Sequence, residues 1–334
     1  MSARTRQAAT EAVLEVWREL LGVDTIGVED TFTDLGGTSL QIVELRDRLE
    51  QRFGLRLTVA DLATAATVAE LAERLERQGR RAFTGRAPVT TRIGRDSTNA
   101  TTTVFCLPGS GGSPWSFVPL AGRLPDGIVL EVICQRGLEH RGPAHYRMRS
   151  LVRYAVRAIR SVQPRGPYLL LGHSMGGVAA LEIAERLRRD GEDIALVVLL
   201  DAPLPLATAR MLGEPTRAPG GAVTARSGSL PHRIDLYAAM LTAGLVRRPL
   251  GRQQELFYEI GLRVQNRHRL RPRPCPVLAV VTDQTAHHVP GWRRVLGDIA
   301  VMPVDGGHMD VVRDGPVSWR LAERIGAEIL RRRG

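Results

Sequence analysis

The chain has 334 residues, 43% of them hydrophobic and 24% charged, which excludes wholesale disorder and leaves room for one large domain or two unequal ones. Its net charge is +11, yet every one of the 46 basic residues is arginine; that bias speaks for coding composition rather than a phosphate-binding surface, and no nucleic-acid partner is expected. No apolar run approaches the roughly 18–20 residues of a membrane span, and the start Met1-Ser2-Ala3-Arg4 lacks the apolar core of a secretory signal, so a cytoplasmic protein with no membrane partner is expected.

Apolar residues at three-to-four spacing (Ala12, Val13, Val16, Trp17, Leu20) predict a helix over 8–20. Turn residues follow at Asp30, Asp34, Gly36 and Gly37. A second helix is predicted over 38–53 on Leu40, Val43, Leu45, Leu49 and Phe53, then a short segment at 59–62 and a last helix over 67–77 on Val68, Leu71 and Leu75. These make an all-α four-helix bundle over 8–78. Periodicity fails over 79–99, where Arg, Thr, Gly and Pro mark a linker or a loose edge.

From residue 100 to 334 short apolar runs alternate with helical patterns, which predicts β-α-β units and a mainly parallel sheet. The runs are 104–107, 129–134, 168–171, 194–200, 277–281 and 299–302. Helices are predicted near 115–124, 150–162, 177–189 and 316–333. The stretch 204–273 is too long for a plain connection and carries its own helical patterns near 234–246 and 253–266, so it reads as a lid. Residues 1–80 hold 10 Arg against 14 acids, while residues 81–334 hold 36 Arg against 21, so an acidic module precedes a basic one. The cysteines Cys106, Cys134 and Cys275 are too scattered for a disulfide framework or a metal knuckle, and no metal is expected.

Two constellations carry chemistry. In Asp34-Leu35-Gly36-Gly37-Thr38-Ser39-Leu40 a serine stands where a helix begins. Its default role is an N-cap, but the paired glycines leave the hydroxyl accessible, and a helix N-terminus offers free amides to a phosphate. This segment resembles the attachment motif of peptidyl carrier domains of nonribosomal peptide synthetases over about residues 8–78. The resemblance implies 4′-phosphopantetheine bound covalently at Ser39, loaded by a phosphopantetheinyl transferase, with upstream condensation and adenylation modules as partners.

In the second, the apolar run 168–171 leads into Gly172-His173-Ser174-Met175-Gly176 and then a helix, the strand–turn–helix setting of a nucleophile elbow. A serine nucleophile needs a base and an orienting acid. His308, in Gly306-Gly307-His308 after the last predicted strand, is the best-placed histidine; His173 reads as packing beside the serine, and His287 and His288 as a solvated pair pointing apart. Two acids give the chain order Ser, Asp, His: Asp201 after the run 196–200 and Asp283 after 277–281. The oxyanion amides are expected from Met175 and from the glycine-rich loop 108–112.

Residues 100–333 resemble the type I thioesterase domains that end nonribosomal peptide and polyketide assembly lines, an α/β-hydrolase fold with a helical lid. The resemblance favours Asp201 over Asp283, assigns the second oxyanion amide to Ser110, and implies release of an acyl or peptidyl chain through an acyl-enzyme on Ser174. Hydrolysis and macrocyclisation both remain open. A carboxylesterase with a helical appendage, and a carrier module with an inert hydrolase half, are the competing readings.

Overall fold

In the computed structural model the described residues are 3–32, 34–37, 41–42, 44–46, 48–49, 62, 67–80, 89–94, 100–138, 142–215, 230–246, 248, 250–271 and 276–332. The chain divides into two compact units, Met1–Ala87 and Pro88–Gly334. Ser39 and Cys275 lie outside the described residues, as do parts of the second predicted helix, the linker and the lid.

The described residues of the first unit are mainly helical. Helix α1 (Ala3–Leu21) starts before the predicted position and buries Val13, Val16 and Trp17. The described positions between 41 and 49 are helical, and α2 spans Val68–Arg80 with Val68, Leu71 and Leu75 inward. Thr67 and Glu70 form a reciprocal capping box at its start: the Glu70 amide donates to Thr67 Oγ1 at 3.2 Å and the Thr67 amide to Glu70 Oε2 at 3.4 Å. The core of this unit joins these side chains to Ile26, Phe32, Leu45 and Leu49. Trp17 and Phe32 meet edge-on with centroids 5.0 Å apart.

The second unit is built on a seven-stranded sheet in the order β1-β3-β2-β4-β5-β6-β7. The strands are β1 (Thr90–Ile93), β2 (Thr102–Leu107), β3 (Ile128–Ile133), β4 (Tyr168–His173), β5 (Ile194–Leu200), β6 (Val277–Val281) and β7 (Ala300–Pro303). All neighbours pair in parallel except β1, which runs antiparallel on β3. Strand β1 falls inside the stretch 79–99 read as linker. Its four residues bury only Thr91 and Ile93, an alternation too short to stand out beside its Arg and Thr neighbours.

Both faces of the central strands are covered, so they read as continuous apolar runs. Phe105, Leu170, Val197 and Ala279 share one core with α4 (Met148–Val162) and α5 (Met175–Arg189), which follow α3, a single turn at Val118–Ala121. Their sequence neighbours Val104, Leu171, Val198 and Val280 are buried outside that core. The insertion carries α6 (Leu206–Leu212), α7 (Leu230–Leu241) and α8 (Leu250–Arg267), and its Leu236, Met240, Leu256 and Ile260 join the α4–α5 core. Helices α9 (Val289–Leu296) and α10 (Pro316–Arg332) complete the unit. The sequence reading missed α6 and α9, both of eight residues or fewer and opening at a proline. It also expected one helix over 115–124, where a 3₁₀ turn at Pro114–Phe117 precedes α3.

Candidate active site

Ser174 sits between β4 and α5 with φ 53° and ψ −123°, a conformation that L-residues avoid. The turn closes because its flanking positions have no side chain. A Cβ on Gly172 would run into the backbone of Gly176 and Gly177, and one on Gly176 into the carbonyls of Leu107 and Pro108. The Ser174 amide donates to the Leu200 carbonyl at 2.9 Å, tying the elbow to the end of β5.

That strand end carries Asp201, fully buried and also at positive φ (47°). Its Oδ2 lies 2.7 Å from His308 Nδ1. Its Oδ1 accepts from the Thr282 amide at 2.7 Å and from the Thr285 hydroxyl. Burial alone would raise the Asp201 pKa, but the hydrogen bonds from His308, Thr285 and Thr282 outweigh it and leave the carboxyl below its ordinary range. Asp283 is exposed on the same turn. The loop that carries the competing acid thus supplies the two donors that fix Asp201.

His308 lies in the turn after β7. The Gly307 amide donates to Asp310 Oδ2 at 2.7 Å, which braces that turn. On the other side of the elbow, Gln135 Nε2 donates to the Gly109 and Gly112 carbonyls at 2.7 and 3.3 Å and holds the loop 108–112. A Cβ on Gly109 would approach Ser174 Cβ to 3.3 Å, so this loop lies against the nucleophile. Met175 opens α5, where first-turn amides have no intrahelical acceptor. Helix α8 presses on the loop from above: a Cβ on Gly111 would meet the Gln254 carbonyl at 2.5 Å, and one on Gly261 would strike Ser110. The Ser110 hydroxyl is buried there without a hydrogen-bond partner among the described residues.

Thr282, Thr285, Asp310 and Gln135 were missed at the level of sequence. A hydroxyl residue following β6 and an Asp two places after the histidine were the available signals. His287 and His288 do not point apart. Their ring centroids are 3.9 Å from each other in a 3₁₀ turn leading into α9.

A cavity of about 1000 Å³ lies elsewhere, between α4, α5, α7 and α8, and none of Ser174, Asp201 and His308 lines it. Among the described residues no group of His, Cys, Asp and Glu could hold a metal ion.

Burial, and then the nearby His308, hold the His173 pKa down at about 4; His288 is lowered to about 4 by burial and His287. Unfolded, such histidines take up a proton near 6.5, so protons favour unfolding between the two values. Stability is therefore fully present above pH ~6.5 and falls as pH drops toward ~4, by about 3 kcal/mol for His173 alone. The Asp201 contribution is lost only below its ordinary carboxylate range. Urea unfolding of the second unit at pH 7 and 4.5 is expected to show a lower midpoint at 4.5; equal midpoints would contradict the assignment of a neutral buried His173.

Comparison with protein-family models decides what the two units are. Residues 11–75 match the phosphopantetheine attachment site and residues 102–222 match the thioesterase domain. The chain is a carrier–thioesterase didomain. It is 32% identical over 198 residues to a dimodular nonribosomal peptide synthase of Bacillus subtilis (strain 168), a match covering 59% of this chain and 8% of that one. It is 29% identical over 231 residues to the indigoidine synthase of Streptomyces lavendulae, covering 68% of this chain and 17% of that one. The didomain thus spans less than a fifth of the length of these relatives. In fold it is similar to a four-domain nonribosomal peptide synthetase bound to AMP and glycine (TM-score 0.58, 22% identity, 98% of this chain and 26% of that one). Its second unit is similar to the NocB thioesterase domain (TM-score 0.54, 21% identity, 73% of this chain and 99% of that one). No helix among the described residues is long and apolar enough to cross a membrane.

Proposed function

We propose that this didomain releases an acyl or peptidyl chain from a phosphopantetheine thioester in nonribosomal peptide biosynthesis, in the cytoplasm, with Ser174 as nucleophile, His308 as base and Asp201 as orienting acid. The observation that carries the reading is the 2.7 Å contact of Asp201 Oδ2 with His308 Nδ1, at the sheet edge where the strained Ser174 turn stands. Asp201 fixes the proton on Nδ1 and leaves Nε2 free to accept from Ser174 Oγ. Ser174 Oγ attacks the thioester carbonyl, and the Met175 and Ser110 amides receive the negative oxygen, a role worth about 3–4 kcal/mol per donor. His308 then gives its proton to the departing thiolate, and the acyl chain stays on Ser174 as an oxygen ester. Water, or a hydroxyl or amine of the chain itself, attacks that ester with His308 again as base, and Ser174 recovers its proton.

In the carrier unit the turn before Ser39 fits an attached phosphopantetheine. Gly36 has φ +81° with nothing within 4 Å of a Cβ built on it, so the loop is open. A Cβ on Gly37 would strike the buried Phe32 ring, so the turn is anchored to the core of its own unit. Ser39 Oγ would hold the group as a phosphodiester, and the group supplies a thiol on a long arm to which the acyl chain is joined. The partners implied are a phosphopantetheinyl transferase and upstream synthetase modules.

A broad-specificity phosphopantetheinyl transferase with coenzyme A is expected to modify the chain once, and Ser39→Ala to abolish the mass increase seen by intact mass spectrometry. Modification of the Ser39→Ala chain, or none of the wild type, would overturn the carrier assignment and favour a carboxylesterase with a helical appendage.

A further inference from the structure

His173, the residue before the nucleophile, has no part in the steps above, yet it is 4% exposed and makes two contacts with the base. Its Nε2 lies 3.0 Å from the His308 backbone oxygen. Its ring lies against the His308 ring, with centroids 4.7 Å apart and planes 32° from parallel. On its other edge a Cβ on Gly109 would come within 3.1 Å of Nδ1, so the ring is boxed between the loop 108–112 and the turn that carries His308. A carbonyl can only accept, which assigns the proton of His173 to Nε2.

We propose that His173 is a positioning residue for His308: it donates to the His308 carbonyl and carries the His308 ring on its face, so that the base is held between Asp201 and Ser174. This rests on the assignment of Ser174, Asp201 and His308 made above. The need for it lies in the turn itself. His308 follows two glycines, Gly306 at φ +140° and Gly307, whose backbone freedom gives the ring no intrinsic orientation. Asp310 fixes the turn ahead of His308 through the Gly307 amide, and His173 fixes it at the His308 carbonyl. Because burial keeps His173 neutral, its ring does not oppose the charge on His308 when His308 takes the serine proton.

Phenylalanine at this position keeps the ring but cannot donate, whereas the glutamine amide reaches about as far as Nε2. The full chain is assayed with an alkyl fluorophosphonate, which needs only Ser174 and its base, and with butyryl-N-acetylcysteamine as a small thioester. His173→Phe is expected to slow fluorophosphonate labelling and lower kcat by about 10- to 100-fold, with KM changed by less than about threefold, on the scale of a slightly misplaced catalytic group. His173→Gln is expected to recover both rates to within about threefold of wild type. If the phenyl ring is not accommodated, His173→Met serves as the variant without a donor. Wild-type rates in a folded variant without the donor would overturn the proposal, as would a His173→Gln protein that is equally slow at an unchanged thermal midpoint. Labelling that persists in Ser174→Ala would instead overturn the nucleophile assignment, which keeps the two failures distinct.

Discussion

Asp201→Asn is expected to slow acylation of Ser174 by about 10³- to 10⁴-fold in single-turnover measurements, while Asp283→Asn stays within a few-fold of wild type. The reason lies in what surrounds each oxygen of Asp201. Oδ1 takes two donors, the Thr282 amide and the Thr285 hydroxyl. An asparagine must keep its carbonyl oxygen there, since an amide nitrogen facing two donors would leave buried groups unpaired. The NH2 group then faces His308 Nδ1 and forces the proton onto Nε2. That tautomer cannot accept a proton from Ser174. Asp283 is exposed and has no such contact with His308, so its charge is screened and its loss costs little. The opposite ranking, with both variants folded, would move the acid to Asp283.

Ser174→Ala is expected to lower release of the carrier-bound chain by about 10⁶-fold, the scale on which removal of a serine nucleophile abolishes a hydrolase. Loading of Ser39 should be unaffected, because it belongs to the other unit. The variant should therefore accumulate loaded protein, read as a persistent mass increase, where the wild type returns to the unacylated form. Release from Ser174→Ala within tenfold of wild type would mean that the strained turn serves another purpose.

The parallel sheet was legible because β4, β5 and β6 are buried on both faces and so stand out as apolar runs between helical patterns. The elbow was legible because the tight turn at Ser174 leaves no room for a Cβ at Gly172 or Gly176, so glycine marks both positions in the sequence. Strand β1 was hidden by its length and by Arg92 on its open face. Both Asp201 and Asp283 follow a buried strand, and the sequence favoured Asp201 through the resemblance and its aliphatic run. What separates them is the three-dimensional path of the Thr282–Thr285 turn, which points its donors at one carboxylate and leaves the other in water. The contact of His173 with the His308 carbonyl was not legible for a similar reason: the two lie 135 positions apart, and no sequence pattern marks a carbonyl.

In the proposed mechanism one chain holds its substrate on Ser39 and releases it through Ser174. Intact mass spectrometry of the full chain, loaded at Ser39 with an acyl-phosphopantetheine and followed in time, tests that directly. The wild type is expected to lose the acyl mass and yield the free acid or a cyclised product, with trapped acyl-enzyme found on the Ser174 peptide. Ser174→Ala is expected to keep the acyl group on the arm. Equal loss from both proteins, or an acyl adduct on a residue other than Ser174, would contradict it.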